Sequence, residues 1–375
     1  MCATTSRREA VMSSVIDAGP GRWVAAEMAE QPAVLAGIAG RRDVEIERIR
    51  AALPRDREEL GGISLIARGS SDNVAVHARY LLELATGLPV SLVAPSLVTR
   101  YHRELRARNH LAVALSQSGR TPEIVTVAEH LASRGATVVA VTNHDDSPLA
   151  AASAVTLSVG TGSEIAVPAT KTVTGQLALV TLLAEAVAPD GADMDRWTGG
   201  ATAWNRLAEV VAGVLDDTAA VEDAAALARD HKVGIHLARG LTYAAALEGA
   251  LKSKETTRRV HEGYSSADFL HGPLTVASPE VLVVAYGADG PVLGDVLDTA
   301  SAASDLGSPV IAIGAPELLS GLPSAVGLPV AGGLGEALAV VPLVVRGQQL
   351  AVSTTLELGM DPDRPVGLNK VTATH

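Results

Sequence analysis

At 375 residues the chain is too long for one ordinary core and suits two domains, and with 47% hydrophobic and 19% charged residues it has ample material to fill both. A net charge of −12 and only nine aromatic side chains oppose a phosphate-backbone footprint or base-stacking platforms, so nucleic acid is not an expected partner. The single cysteine, Cys2, excludes an intramolecular disulfide and a thiolate zinc cluster. Met1 to Arg22 mixes charges without a sustained apolar stretch, and no charge-free run of about 18 apolar residues is evident elsewhere, so the expectation is a cytoplasmic protein that neither enters nor crosses a membrane.

In chain order, Gly21 to Arg55 reads as a helical arm, with Met28, Leu35, Ile38, Ile46 and Ile49 at loosely helical intervals and Pro54 ending the run. Ile63 to Ala67 is a short apolar run closed by Gly69-Ser70-Ser71, and a helical stretch from Asn73 to Ala85 follows. Pro89 to Val93, Leu111 to Leu115 and Thr137 to Thr142 read as further strands, the last closing the series before a polar turn at Asn143 to Asp146. Strands alternating with helices of this length predict a parallel, doubly wound α/β sheet.

The pattern then repeats. Leu65 to Gly69 is echoed by His236-Leu237-Ala238-Arg239-Gly240, and Arg134 to Val141 by Leu306 to Ile313, at separations of 171 and 172 residues. Two landmarks sharing nearly one spacing point to a duplicated domain. The expected organisation is an arm over 1–55, a first domain over 56–205, a second over 206–360 and a tail over 361–375, with the boundary between Pro189 and Ala220.

Three segments could carry chemistry. Ser116-Gln117-Ser118-Gly119-Arg120-Thr121-Pro122 follows a strand and opens a helix, with Thr121 suited to the cap and Pro122 to the first turn. Its hydroxyls, backbone N–H groups and the helix dipole suit a small anion, although an ordinary capped loop has the same spacing. The matching Tyr286-Gly287-Ala288-Asp289-Gly290 lacks the hydroxyls, so one copy is expected to keep such a site. In the second segment, Leu247 to Glu255, helical spacing puts Glu248, Lys252 and Glu255 on one face, where a lysine between two carboxylates tunes protonation or simply forms solvated ion pairs. The third, His271, stands at a rigid Gly272-Pro273 turn.

These residues resemble a known family. Ser116 to Thr121, Glu164-Ile165-Ala166-Val167-Pro168-Ala169-Thr170-Lys171, Ala246 to Glu255 and Leu270-His271-Gly272-Pro273-Leu274 are similar, in the same order, to the isomerase half of glucosamine–fructose-6-phosphate aminotransferase, a tandem sugar isomerase (SIS) domain protein. The resemblance runs from near Glu27 to Leu368-Asn369-Lys370. Fewer than 60 residues precede the first strand and Ala3-Thr4-Thr5 does not continue the aminotransferase's opening, so no glutaminase domain is expected. The chain is more similar to stand-alone glucosamine-6-phosphate deaminases, which share the phosphate loop and the Asn369 to Thr372 tail motif.

The resemblance implies two flavodoxin-like SIS domains in tandem and deamination with aldose–ketose isomerisation of glucosamine 6-phosphate to fructose 6-phosphate and ammonia. By position it implies that Ser71, Ser116, Gln117, Ser118, Thr121 and Val167 bind the sugar phosphate, and that Ala169 replaces a serine. Glu255 would move the proton between C1 and C2, His271 would open the ring, Lys370 would act from the tail, and Glu248 and Lys252 would support them. No metal or redox cofactor is implied. A homodimer with shared active sites is, because the histidine resembling His271 serves a neighbouring subunit. The alternatives are an aminotransferase-type isomerase without the glutaminase, a deaminase of another amino-sugar phosphate, and a non-catalytic sugar-phosphate sensor.

Overall fold

The computed structural model of the chain describes residues 19–53 and 60–370. Cys2 and the rest of the segment before Gly19, Pro54 and Arg55 at the end of the arm, and the Val371-Thr372 end of the tail motif lie outside the described residues. The arm is three helices, not one: α1 (Arg22–Ala29), α2 (Gln31–Gly40) and α3 (Arg42–Ala52). Pro32 has no N–H to return to the Met28 carbonyl, which breaks the first junction, and Gly40 weakens the second.

The first sheet holds β1 (Gly62–Ile66), β2 (Val90–Leu92), β3 (His110–Leu115), β4 (Thr137–Thr142) and β5 (Val155–Ser158) in the order β2-β1-β3-β4-β5. All its pairings are parallel. Thr142 therefore does not close the series. The long helices between these strands are α4 (Ser70–Thr86) and α5 (Pro122–Ser133), with α6 (Lys171–Val187) following β5. After α7 (Gly200–Asp216) and α8 (Ala219–Arg229) the plan repeats: β6 (Val233–Ala238), α9 (Tyr243–Thr257), β7 (Val260–Ser265), β8 (Val281–Gly287), α10 (Leu293–Asp305), β9 (Val310–Gly314), β10 (Val326–Pro329) and α11 (Glu336–Glu357). The second sheet, also parallel, runs β10-β9-β8-β6-β7, the same order read from the other edge.

The duplication extends to side chains. Arg68 Nε meets Glu123 Oε2 at 3.1 Å, and Arg239 Nε meets Asp295 Oδ2 at 3.1 Å. Gly69 and Gly240, the residues after these arginines, have φ of +60° and +61°, a left-handed turn that a side chain resists.

Two helices form the centre. Every residue of α6 is buried, and α11, which packs against α6, α7, α8 and α9, is nearly so. Among the described residues Glu336–Glu357 is the one helix long and apolar enough to cross a membrane, but 89% of its apolar window lies inside the protein, as in a core helix. Its buried Arg346 is paired with Asp217 Oδ2 at 2.6 Å and donates to the Pro329, Val214 and Asp217 carbonyls, which satisfies the charge internally.

Candidate active site

A cavity of about 380 Å³ opens at the carboxyl ends of β1 and β3, where the strand order of the first sheet reverses. This topological switch point is where open α/β sheets take ligands. Both halves contribute to its wall: Ser71, Ser116, Gln117, Ser118 and Thr121 from the β1 and β3 loops, Val167, Ala169, Thr172 and Gln176 from the approach to α6 and from that helix, Lys252 and Glu255 from α9, and Asn369 and Lys370 from the tail.

The Ser116–Thr121 loop is built for close approach. Gly119 has φ +60°, and a Cβ there would lie 2.2 Å from Ser147 Oγ, so no other residue fits. Ser116 Oγ accepts from Gly119 N at 3.2 Å, and Ser118 Oγ from Arg120 N at 3.2 Å. Thr121 occupies the N-cap of α5 and Pro122 its first turn, as expected, yet the threonine hydroxyl makes no capping bond and lies 3.5 Å from Ser116 Oγ. The start of a 12-residue helix and a row of hydroxyls thus face the cavity together.

In the second half the equivalent crevice is filled. A Cβ on Gly290 would lie 2.7 Å from Glu336 Oε2, and one on Gly240 would lie 3.6 Å from Glu336 Oε1. The protein's own carboxylate occupies the space, and the loop offers no hydroxyl in exchange.

Helix α9 delivers the ionisable group expected of it. Lys252 Nζ is 3.5 Å from Glu248 Oε1 and hydrogen-bonds Glu255 Oε2, so the three residues form one ion-paired row. Burial works against the charge of Lys252, but Glu255 and Glu248 outweigh it and push its pKa up to about 12. Burial lifts the Glu248 carboxyl above the usual range, opposed by Lys252 and by Asn73. Asn73, on α4, donates to Glu248 Oε2 at 2.7 Å and so ties the first half to the chemical helix. Glu255 lies on the cavity wall, whereas Glu248 is buried behind it as a support.

The tail brings in Lys370, whose Nζ donates to Glu164 Oε2 at 2.6 Å. Glu164 also accepts from Thr170 N at 3.0 Å, Thr172 N at 3.1 Å and Thr172 Oγ1 at 2.8 Å. Burial alone would raise its pKa, but Lys370 and these donors hold it below the ordinary value. The tail is anchored upstream: Asp363 accepts from Trp23 N at 3.0 Å and Val24 N at 2.7 Å at the start of α1, and its carbonyl accepts from Val167 N at 3.0 Å.

His271 is the candidate that the structure does not bring to the cavity. It is exposed, just after the short helix Ser266–Leu270, and does not line the site of its own chain. Sequence reasoning missed Asn73, Glu164, Asp363 and Gln176 as participants. Of these, Glu164 stood inside a recognised motif, while the others carried no local signal.

Known proteins share this fold. The family profile for the SIS domain matches residues 61–186 and 229–316. The glutamine–fructose-6-phosphate aminotransferase (isomerizing) of Methanothermobacter thermautotrophicus is 31% identical over 320 residues, 84% of this chain and 52% of that protein. The C-terminal domain of glucosamine-fructose-6-phosphate aminotransferase from Francisella tularensis superposes with a TM-score of 0.81 at 22% identity, covering 90% of this chain and 97% of that one. Glucosamine-6-phosphate deaminase from Thermotoga maritima gives a TM-score of 0.66 at 19% identity over 91% of this chain and 100% of that one. At these identities the two structures speak to fold alone. The chain spans about half the length of the curated relative it matches.

Proposed function

Since the chain belongs to the SIS domain family and is homologous to the isomerase half of the aminotransferase, we propose that it is a sugar-phosphate isomerase whose reaction is the deamination of glucosamine 6-phosphate to fructose 6-phosphate and ammonia. The observation that carries this reading is the meeting, on one cavity, of the Ser116–Thr121 anion loop with the Glu255 carboxylate and the Lys370 ammonium.

Chemically, the loop takes the phosphate and leaves the open-chain sugar extended toward α9. Glu255 removes the proton at C2 and O1 is protonated, giving an enolamine. Protonation at C1 then yields an imine at C2. Water adds to C2, the C–N bond breaks, and ammonia leaves behind the ketone of fructose 6-phosphate. A positioned carboxylate contributes about 10²–10⁴-fold to such proton transfers. Lys252 orients Glu255, Glu248 and Asn73 hold Lys252 in place, and Lys370 neutralises charge developing on oxygen. In the reverse, aminating direction Lys370 forms a Schiff base with the ketose.

His271 opens the sugar ring in this scheme from a second copy of the chain. Its exposure, beside Leu270 and Val276 at 49% and 46% exposed, supports a homodimer with shared sites. The protein would work in the cytoplasm. Purified protein given glucosamine 6-phosphate should release ammonia and fructose 6-phosphate in equal amounts, and fructose 6-phosphate with ammonium should run the reaction backward. Isomerisation of sugar phosphates without ammonia release would leave the isomerase and remove the deaminase.

A further inference from the structure

We propose that Gln176 is a sugar-recognition residue, whose carboxamide on the cavity wall pairs with a hydroxyl of the bound sugar. The inference deepens the reading of this cavity as a sugar-phosphate site and rests on it.

Gln176 lies on α6, one turn beyond Thr172, and lines the cavity. It is 1% exposed, and neither its Nε2 nor its Oε1 has a hydrogen-bond partner. The other buried glutamines among the described residues differ. Gln349 Oε1 accepts from Arg346 and its Nε2 donates to the Val214 carbonyl, Gln348 Nε2 donates to the Thr170 carbonyl, and Gln31 Oε1 accepts from Thr174 Oγ1. Only Gln176 leaves both ends of its amide unmade, and it alone of the four borders the cavity.

An unpaired buried polar atom costs about 1–3 kcal/mol, so a leucine there would suit the empty protein better. The amide becomes favourable once a ligand supplies its partners. A carboxamide donates through nitrogen and accepts through oxygen, and a sugar hydroxyl does both, so the two match. Gln176 borders the cavity, and its side chain has staggered rotamers through which the amide can turn toward a ligand. The phosphate is served by the Ser116–Thr121 loop and the proton by Glu255, while the nearby Ala169 offers only a methyl group. Gln176 thus adds a polar contact to a hydroxyl of the sugar between them, beside those that Ser71, Gln117 and Asn369 offer on the same wall.

Gln176→Leu separates the possibilities, with thermal unfolding of the ligand-free protein and calorimetric binding of inorganic phosphate and of glucosamine 6-phosphate measured on wild type and variant. The expected result is a midpoint higher by about 2 °C or more, phosphate affinity unchanged within about twofold, and glucosamine 6-phosphate affinity lower by about tenfold. A lower midpoint, or an unchanged ratio of sugar-phosphate to phosphate affinity, overturns the assignment, as does a wild type that does not distinguish the two ligands. Wild type that prefers the sugar phosphate but never turns it over would sink the proposed reaction alone, and Gln176→Leu would still have to erase the preference.

Discussion

His77 Nδ1 lies 2.9 Å from the carbonyl oxygen of Leu241, joining α4 of the first half to the turn that launches α9 in the second. The Leu241 N–H also faces the Glu336 carboxylate and opposes the burial that raises its pKa to about 7. Burial pushes the His77 pKa down to about 4, so the ring is neutral near pH 7 and must carry its proton on Nδ1 to donate. Asparagine can place a donor near the same point, and leucine cannot. His77→Leu should lower kcat by about tenfold with KM little changed, and His77→Asn should recover most of it. Amide exchange across 243–257 should rise only in the leucine variant. Equal turnover in both variants would show that this bond does not position the chemical helix.

If Glu255 shuttles the proton, Glu255→Gln should reduce kcat by at least about 10²-fold while binding of glucosamine 6-phosphate survives. Near-normal turnover would take Glu255 out of the mechanism.

The anion loop makes a different demand, on binding. Ser118→Ala or Thr121→Ala should mainly raise KM, since their hydroxyls line the cavity and neither caps α5. Glucosamine without its phosphate should be a poor substrate. Comparable use of the two sugars would reduce the loop to an ordinary turn.

Sharing of sites between subunits can be tested by mixing inactive Glu255→Gln chains with inactive His271→Ala chains under subunit exchange. Some mixed dimers then contain one site with both residues intact, and part of the activity should return. Proven heterodimers that stay inactive would place His271 outside the shared chemistry.

Acid–base behaviour of the arm gives a stability test. Burial raises the Glu27 pKa to about 7, with Glu164 adding to the effect and the Ile165 N–H and Lys370 opposing it. A carboxyl raised above its unfolded value binds more protons folded than unfolded, so between about 4.5 and 7 its contribution to stability falls as pH rises. Glu27→Gln keeps an acceptor for Ile165 and Ala166 and removes that dependence. Its unfolding midpoint should gain on wild type as pH goes from 5 to 8. A difference that is flat with pH would mean that Glu27 does not titrate in this range.

What could be read beforehand follows the range of the physics involved. β1, β3 and β4 were legible because apolar runs end in glycine and hydroxyl residues, and Glu248, Lys252 and Glu255 because helical spacing alone puts them in a row. The strand Val155–Ser158 escaped because Val-Thr-Leu-Ser is four residues long with only alternate burial, and so has no apolar run to notice. The three-part arm turned on Pro32, which a loose apolar period passes over. Asn73 bonds Glu248 across 175 residues, and such a pairing has no trace in local pattern. Gln176 is silent for the opposite reason: it lies in a helix buried on every side, where one amide among apolar neighbours reads as incidental until its partners are sought.

The capping of α1 by Asp363 gives the protein an optical handle. Trp23, whose N–H is one of the two that Asp363 holds, is half-buried at the far end of the tail that carries Lys370. Only seven residues separate that cap from Lys370, which holds Glu164 at the cavity. One short segment thus fastens both the first helix of the arm and the cavity wall, with a tryptophan reporter at its anchored end.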